Sequence, residues 1–395
     1  MATLPSIAMI PSGYKANKVY SVLPTDGSGD LDFARTTTAT RINSEGLIEE
    51  VLTGVPRLDY ADGVCPSLLL EPASTNLVIN SAEGVYGSPP ASSTNTISPD
   101  GTNNAYIPLP NSTSNRYQQD IPSGTYATGQ KLTYSWYRKR ISTPTGDDVL
   151  GDLNIKQLVN LTELEVSNAR QIQSDINGFD RFEAVVQVID GSLSSIFRAY
   201  FGPVVGAGNS SVAYWGHQFE ALDYATSLII TTGTVQTRTA ETASKTGISS
   251  LINSSEGVFY TNIKMPLSIV QNNWLTISDG TNQNSIGIVF ESNSKTTTRV
   301  DVGGAIQFYQ QHTSDYSIYQ KIAISWKLNQ FKMFVNGVQI GSTDTSGLVP
   351  SFGSLSQLQF AYSTNASNFT FSECKDLRVF KTALTDSELT TLTTL

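Results

Sequence analysis

Residues Ile322–Ser342 read IAISWKLNQFKMFVNGVQIGS. Ile322, Ile324 and Trp326 alternate with small or polar residues, and Phe331 or Met333 resumes the alternation after a turn. A strand sends successive side chains to opposite faces, so this spacing builds one apolar face per strand. KLTYSWYRK (Lys131–Lys139) repeats the pattern with Leu132, Tyr134 and Trp136. Helical periodicity is nearly absent along the chain. Strands of this length between Gly, Asn, Asp and Ser turns predict an all-β fold of antiparallel sheets packed as sandwiches. One short helix is expected at the C-terminus. In TALTDSELTTLTTL (Thr382–Leu395), Thr385 and Glu388 form a capping box, and Leu384, Leu389 and Leu392 can pack on a sheet.

The chain has 395 residues, enough for two or three domains. Charged residues make up only 15%, against about 25% in an average soluble domain. Ser, Thr, Asn, Gln and Gly fill the gap, as in extracellular β-proteins and virion fibres. The net charge is −9 and no basic stripe exists, which argues against a nucleic-acid partner. Arg138, Lys139 and Arg140 read as the solvated end of a strand. The start, MATLPSIAMIPSGYKANKVY, lacks the pattern of a signal peptide. No stretch approaches the ~20 apolar residues of a membrane span. The two cysteines, Cys65 and Cys374, are expected to be separate free thiols, in keeping with synthesis in a reducing cytoplasm.

Three segments are expected. Residues 1–74 are rich in turns and short of apolar residues, and should dock on something else. Residues 75–242 and 243–395 are each the size of a jelly-roll sandwich, joined at ETASKTG (Glu241–Gly247). Asn-Ser-(x)-Glu-Gly recurs in Arg41–Glu50, Val78–Tyr86 and Leu251–Tyr260. That recurrence suits either tandem jelly rolls or repeated turn chemistry.

The last segment resembles the concanavalin A-like, laminin-G-like jelly rolls. The Ile322–Ser342 hairpin, with Trp326 and Val335-Asn336-Gly337-Val338, carries the likeness, together with CKDLRVFKTALTDSELTTL (Cys374–Leu392). The resemblance implies glycan or protein binding, often with calcium at the rim. The Glu-x-Asp-x-x-Glu strand of the family's glycosidases is not found. The middle segment resembles carbohydrate-binding-module-type jelly rolls of bacteriophage structural proteins. It does so through YWGHQFEALDYATSLIITTGTVQTRTAE (Tyr214–Glu241), which has a Trp-Gly-x-Gln-x-Glu strand, Ala-Thr-Ser, and Thr-Arg-x-Ala. The Pro11–Val78 segment resembles what precedes such domains in phage virion proteins. Together these imply a non-enzymatic virion component, a head or tail fibre or spike. It would join other virion proteins through residues 1–74 and be exposed on the particle. Its other partner would be host-surface glycan or protein, and it would assemble as a dimer or trimer. On this reading, deleting residues 1–74 should leave folded sandwiches that no longer join particles. A purely structural decoration protein and a polysaccharide depolymerase are the alternatives.

Candidate chemistry is sparse. Asp30 with Asp32, and Glu163 with Glu165, are carboxylates two apart on a strand; both pairs read as solvated faces. His217 and Glu220 sit close in sequence. Strict alternation puts Trp215, His217 and Phe219 on one face and Glu220 on the other, so they cannot form an acid/base pair. Trp136, Trp215 and Trp326 read as core. For calcium, TDGSGDLD supplies Asp26, Asp30 and Asp32, and SDGTNQN supplies Asp279. For a glycan, FYQQHTSDYSIYQ (Phe308–Gln320) gathers Tyr309, His312, Asp315, Tyr316 and Tyr319, with Trp274 elsewhere in the same domain.

Overall fold

A computed structural model describes residues 3–82, 93–108, 117–124, 126–141, 154–157, 162–163, 169–188, 195–201, 212–266, 271–362 and 365–395. The Ile322–Ser342 stretch folds as read. Strands Gln320–Lys327 and Gln330–Val335 pair antiparallel, with Ile324 opposite Met333 and Trp326 opposite Phe331. All four side chains enter one core. The next turn places Asn336 and Gly337 at φ 48° and 85°, the conformation of a tight hairpin turn that favours Asn-Gly. Strand Val338–Asp344 follows.

The chain divides into two compact units. One holds Met1–Thr36, Thr53–Pro72 and Ala240–Leu395; the other holds Thr37–Leu52 and Ala73–Thr239. The first is a sandwich of an eight-stranded and a nine-stranded sheet. Strand Ser372–Phe380 lies in the first sheet between Glu256–Lys264 and Ser67–Leu70, and Ile7–Met9 also pairs with it. The nine-stranded sheet runs from Tyr14–Lys15 through Lys18–Val19, Leu31–Ala34, Thr242–Thr246 and Gln357–Gln359 to Asn273–Ser278. Ser285–Glu291, Lys295–Val302 and Ala305–Thr313 complete it.

Residues 1–74 therefore do not stand apart as one segment. They are short of apolar residues because they add to a core begun elsewhere. Ile7, Met9, Leu31, Phe33, Leu68 and Leu70 are all buried in the C-terminal core. At about 1.5–3 kcal/mol per buried side chain, six such residues contribute on the order of 10 kcal/mol before chain entropy is counted. Deleting residues 1–74 would strip strands from both sheets, so the expectation of intact sandwiches after that deletion is corrected. Glu241–Gly247 is likewise no linker: Thr242–Thr246 is a strand between Leu31–Ala34 and Gln357–Gln359, with Ala243 in the core.

In the second unit, Lys131–Arg140 lies between Val212–Glu220 and Phe179–Gln187 in a six-stranded sheet. Leu132, Tyr134 and Trp136 share one core with Phe182, Val186 and Phe219, as their alternation requires. A four-stranded sheet accompanies it.

The Asn-Ser-(x)-Glu-Gly recurrence is partly turn chemistry. Asn43 Oδ1 accepts from the backbone N–H of Glu45, and Asn253 Oδ1 accepts from that of Ser255. Asn80 Oδ1 instead accepts from Gly233 N. Cys65 is exposed and Cys374 buried, both free. Helix Asp386–Thr393 opens with the expected capping box at Thr385 and Glu388. Its Leu389, with Leu384, packs on Val258, Tyr260, Ala323 and Phe334 of the eight-stranded sheet.

Candidate functional site

That helix covers the outer side of the eight-stranded sheet. On the outer side of the nine-stranded sheet Thr276, Val289 and Thr297 are buried, and Tyr309 on the edge strand is exposed. Along the nine-stranded sheet, Leu275, Ile277, Ile286, Ile288, Val300 and Phe308 point into the core. The alternate residues therefore face away from it. Register aligns Trp274 with Val289, Thr297 and Gln311 across four strands, and Thr276 with Gly287, Arg299 and Tyr309.

This outer face combines aromatic rings with hydrogen-bonding groups. The Trp274 and Tyr362 rings lie 4.3 Å apart. Trp274 leans over Gly287, whose missing Cβ would sit 3.6 Å from the indole. Tyr309 is 49% exposed. Arg299 grips Asp301 through Nε and Nη2 at 2.7–2.9 Å. Those hydrogen bonds raise the guanidinium's already high pKa further, and Tyr362 and Tyr309 lie within its electrostatic reach. Glu291 accepts from Thr297 Oγ1 and, at 2.9 Å, from Gln311 Nε2.

The six glycan candidates divide. Trp274 and Tyr309 share the outer face of the nine-stranded sheet. His312 falls in the core-side column of the edge strand, opposite Thr296. Asp315 accepts from the N–H and hydroxyl of Ser317 in its own turn. Tyr316 is buried in the core, donates to the carbonyl of Lys295 and accepts from the backbone N–H of Glu291. Tyr319 joins a separate charged cluster. Adjacency in Phe308–Gln320 misled because the strand ends at Thr313 and alternation ends with it. Arg299, Glu291, Gln311 and Tyr362 were missed. TTTRVDV, with Arg299 and Asp301 two apart on a strand, held the available signal.

The calcium candidates are engaged singly. Asp26 binds Ser28, Asp30 binds Ser21, and Asp32 binds Lys18. Asp279 binds Thr281 and Asn284. Among the described residues, no three His, Cys, Asp or Glu side chains converge in a metal-holding group. The Glu163–Glu165 pair lies outside the residues whose side chains are described.

The Tyr319 cluster was not anticipated. Asp62 Oδ2 and Glu373 Oε2 each lie 2.9 Å from the Tyr319 hydroxyl, and each lies 2.9 Å from Lys264 Nζ. A phenol carries one proton, so it cannot donate to two ionised carboxylates at once. Burial, opposed by Lys264 and reinforced by Asp62, pushes the Glu373 carboxyl up to about 7. Burial would also raise Asp62, but hydrogen bonds from Glu373 and Lys264 outweigh it and hold Asp62 at about 2. The pair shares one proton near neutrality.

A raised folded-state value stabilises below the unfolded value of 4.5 and is lost as pH rises through about 7. Raising pH from 5 to 8 is expected to weaken this unit by about 1–2 kcal/mol, allowing for partial solvent screening. Glu373→Gln should flatten that slope in urea titrations followed by fluorescence. An unchanged slope would place the proton elsewhere.

Strand Val212–Glu220 corrects the alternation expected for it. Gly216 has φ +63°, and between Trp215 and Gln218 the partner strand advances only from Tyr137 to Ser135. One extra residue has been inserted, a β-bulge. Tyr214 and Phe219 consequently share the core face, and His217 bonds from there to Tyr106 and Tyr134. Trp215 turns to the other side, edge-on to Tyr137. A Cβ on Gly216 would lie 2.6 Å from the Tyr137 ring. His217 and Glu220 still point to opposite sides.

The rest of the motif is structural. Glu220 accepts from Ser74 and from Thr226 N, and burial raises its carboxyl. Gln218 donates to Thr226 O and accepts from Ile229 N. Buried Arg238 bonds Ser227. Together they clamp the segment that follows the strand.

Residues 265–390 match the Concanavalin A-like lectin/glucanases superfamily. That match contains the Trp274–Tyr309 face. Similar solved structures include the CBM40 of the Ruminococcus gnavus IT-sialidase, at 14% identity and TM-score 0.32, covering 36% of this chain and 84% of that one. Domain 4 of the Geobacillus stearothermophilus arabinanase AbnA is similar at 13% identity and TM-score 0.31, covering 39% and 73%. A pentraxin from Limulus polyphemus matches at 14% and 0.30, covering 36% and 70%. No curated protein sequence matches the chain.

Proposed function

We propose that this chain is a non-enzymatic component of a bacteriophage particle, a fibre, spike or decoration protein. It binds host-surface glycan through the outer face of the nine-stranded sheet of its C-terminal jelly roll. The observation that carries the binding role is the half-buried Trp274–Tyr362 pair on the same sheet face as half-buried Arg299 and exposed Tyr309. Flat rings for stacking beside fixed donors and acceptors are what sugar recognition needs. The lectin/glucanase match over residues 265–390 supports the same reading.

The virion setting is supported by the likeness of Pro11–Val78 and Tyr214–Glu241 to phage structural proteins. Other virion proteins would meet residues 1–74, whose loop at Val64 is 96% exposed. A non-catalytic role is supported by the Asp62–Glu373 pair. Both of its carboxylates are engaged by Lys264 and Tyr319 within the unit itself.

The test is a glycan array probed with the full chain displayed in many copies, which adds avidity to weak single sites. Binding is expected, without release of reducing ends from host polysaccharide. Absence of all binding would favour a purely structural decoration protein, and new reducing ends would favour a depolymerase. Gold-labelled antibody on particles should mark a surface projection.

A further inference from the structure

Sheet edges invite pairing with another chain, and short strands, lysines and kinks ordinarily prevent it. Three edges of this unit are protected in that way. Tyr14–Lys15 is two residues long with a lysine, and Arg57–Asp59 is three residues long. Val338–Asp344 carries a charge and places Gly341 at φ 70°. The fourth edge, Ala305–Thr313, is nine residues long and contains no Lys, Arg, Asp, Glu, Pro or Gly. We infer that this strand pairs antiparallel with the same strand of a second copy of the chain, about a two-fold axis at Gln311. The inference is independent of the glycan-binding reading.

The ladder shows which backbone groups are available. Just past the strand, Ser314 N–H donates to Ser294 O at 2.9 Å. Bonded and non-bonded pairs alternate in an antiparallel ladder, so His312, Gln310 and Phe308 bond the Lys295–Val302 strand. The N–H and C=O groups of Thr313, Gln311 and Tyr309 therefore point outward. Among the described residues no further strand pairs with them, and the Gln310 amide reaches Gln311 O at 3.3 Å. Tyr309 and Thr313 are exposed. A bulge at Gln307 ends the regular stretch, since Phe308 pairs with Val300 but Ile306 with Asp301.

The strand suits its own copy. A two-fold perpendicular to the sheet sets Gln311 against itself and Tyr309 against Thr313. Three outward residues on each copy give about six backbone hydrogen bonds. An amide both donates and accepts, so Gln311 matches its counterpart. No charge on the strand meets a like charge. Lys295, in register with Thr313, comes toward the other copy's Tyr309, a cation beside an aromatic ring. Ile306 and Ile318, 52% and 48% exposed, flank opposite ends of the strand, so antiparallel pairing brings each toward the other copy's. The joined sheet carries both Trp274–Tyr362 pairs on one side, which adds avidity to anything that face binds.

Sedimentation equilibrium of the full chain, from about 5 to about 200 μM, should show monomer and dimer exchanging. Gln311→Lys and Gln311→Glu each set like charges face to face and should each weaken the dimer tenfold or more, with circular dichroism unchanged. Mixed in equal amounts, the two variants should recover the parent's dimer. Gln311→Cys in a Cys65→Ser background should form a disulfide-linked dimer at least tenfold faster than Leu328→Cys in the same background. That comparison decides if a charged variant fails to fold. A chain that stays monomeric, a trimer, or a dimer indifferent to both charged variants would overturn the inference. So would folded charged variants that remain monomeric when mixed, or equal crosslinking rates. None of these results bears on the glycan array, which tests the binding reading separately.

Discussion

Glu241→Ala should remove about 3–5 kcal/mol from the C-terminal sandwich, the cost of leaving buried charges without their partner. Arg35 and Arg57 have no exposed side-chain surface, and neither has Glu241. Glu241 accepts from Arg35 Nη1 at 2.6 Å, from Arg57 Nε at 2.9 Å and from Arg57 Nη2. It also accepts from the backbone N–H of Glu71 at 3.0 Å. The Glu71 carboxylate takes Arg57 Nη1 at 2.7 Å, so two cations meet two anions. Burial works against the Arg57 charge, but Glu241 and Glu71 outweigh it and keep the guanidinium protonated.

Without Glu241, both buried guanidiniums would lose a carboxylate, and Arg57 would keep Glu71. Against a usual total of about 5–15 kcal/mol, that loss is large. Each unit contains two of the four tryptophans, Trp274 and Trp326 in this one and Trp136 and Trp215 in the other. Single-tryptophan versions therefore follow each unit separately in urea. Glu241→Ala should move the Trp326 transition far more than the Trp136 transition. Replacing Arg35, Arg57, Glu71 and Glu241 together by apolar residues of like volume should cost much less than Glu241→Ala alone. Equal costs would show that packing, and not the unpaired charge, sets the penalty.

Glu241 also shows where sequence reading stops. ETASKTG looks like a polar joint because polarity ordinarily marks exposure. Here the glutamate is buried because two arginines arrive from residues 35 and 57, more than 180 positions away. Short-range periodicity had no access to that. It did serve where one strand face suffices: Ile324, Trp326, Leu132 and Trp136 all lie in cores as expected. The capping box at Thr385 and Glu388 is local and formed as expected.

The candidate face was half legible. Trp274 and Tyr309 stand out as aromatics, but they lie 35 positions apart and meet only through the register of four strands. Arg299 and Glu291 attract no notice in a Thr-rich run until that register is known. The bulge at Gly216 defeated strict alternation for Trp215, since one inserted residue exchanges the faces on one side of it.

The second large effect is expected from acid. His217 lies wholly inside the other unit, with Nε2 2.9 Å from the Tyr106 hydroxyl and Nδ1 2.8 Å from that of Tyr134. A neutral imidazole donates through one nitrogen and accepts through the other, and two phenols satisfy both. Protonation would bury a charge between two neutral phenols, and Glu220 points to the opposite side of the strand. Burial accordingly lowers the imidazole to about 3 from an ordinary 6.5.

The sign follows. Between pH 6.5 and about 3 the unfolded chain holds a proton that the folded one refuses, so stability is complete above 6.5 and falls as pH drops. The slope is about 1.4 kcal/mol per pH unit, so a loss on the order of 4 kcal/mol accumulates by pH 3. Glu220 acts in the opposite sense, since burial raises its carboxyl, and comparison with a His217→Gln variant removes its contribution. The amide of Gln can also donate to one phenol and accept from the other. From pH 6.5 to 5, the stability of the parent relative to His217→Gln should fall by about 2 kcal/mol in the Trp136 transition. A difference that stays flat across that range would mean that the imidazole accepts its proton inside the fold, and that some group reaches it to hold the charge.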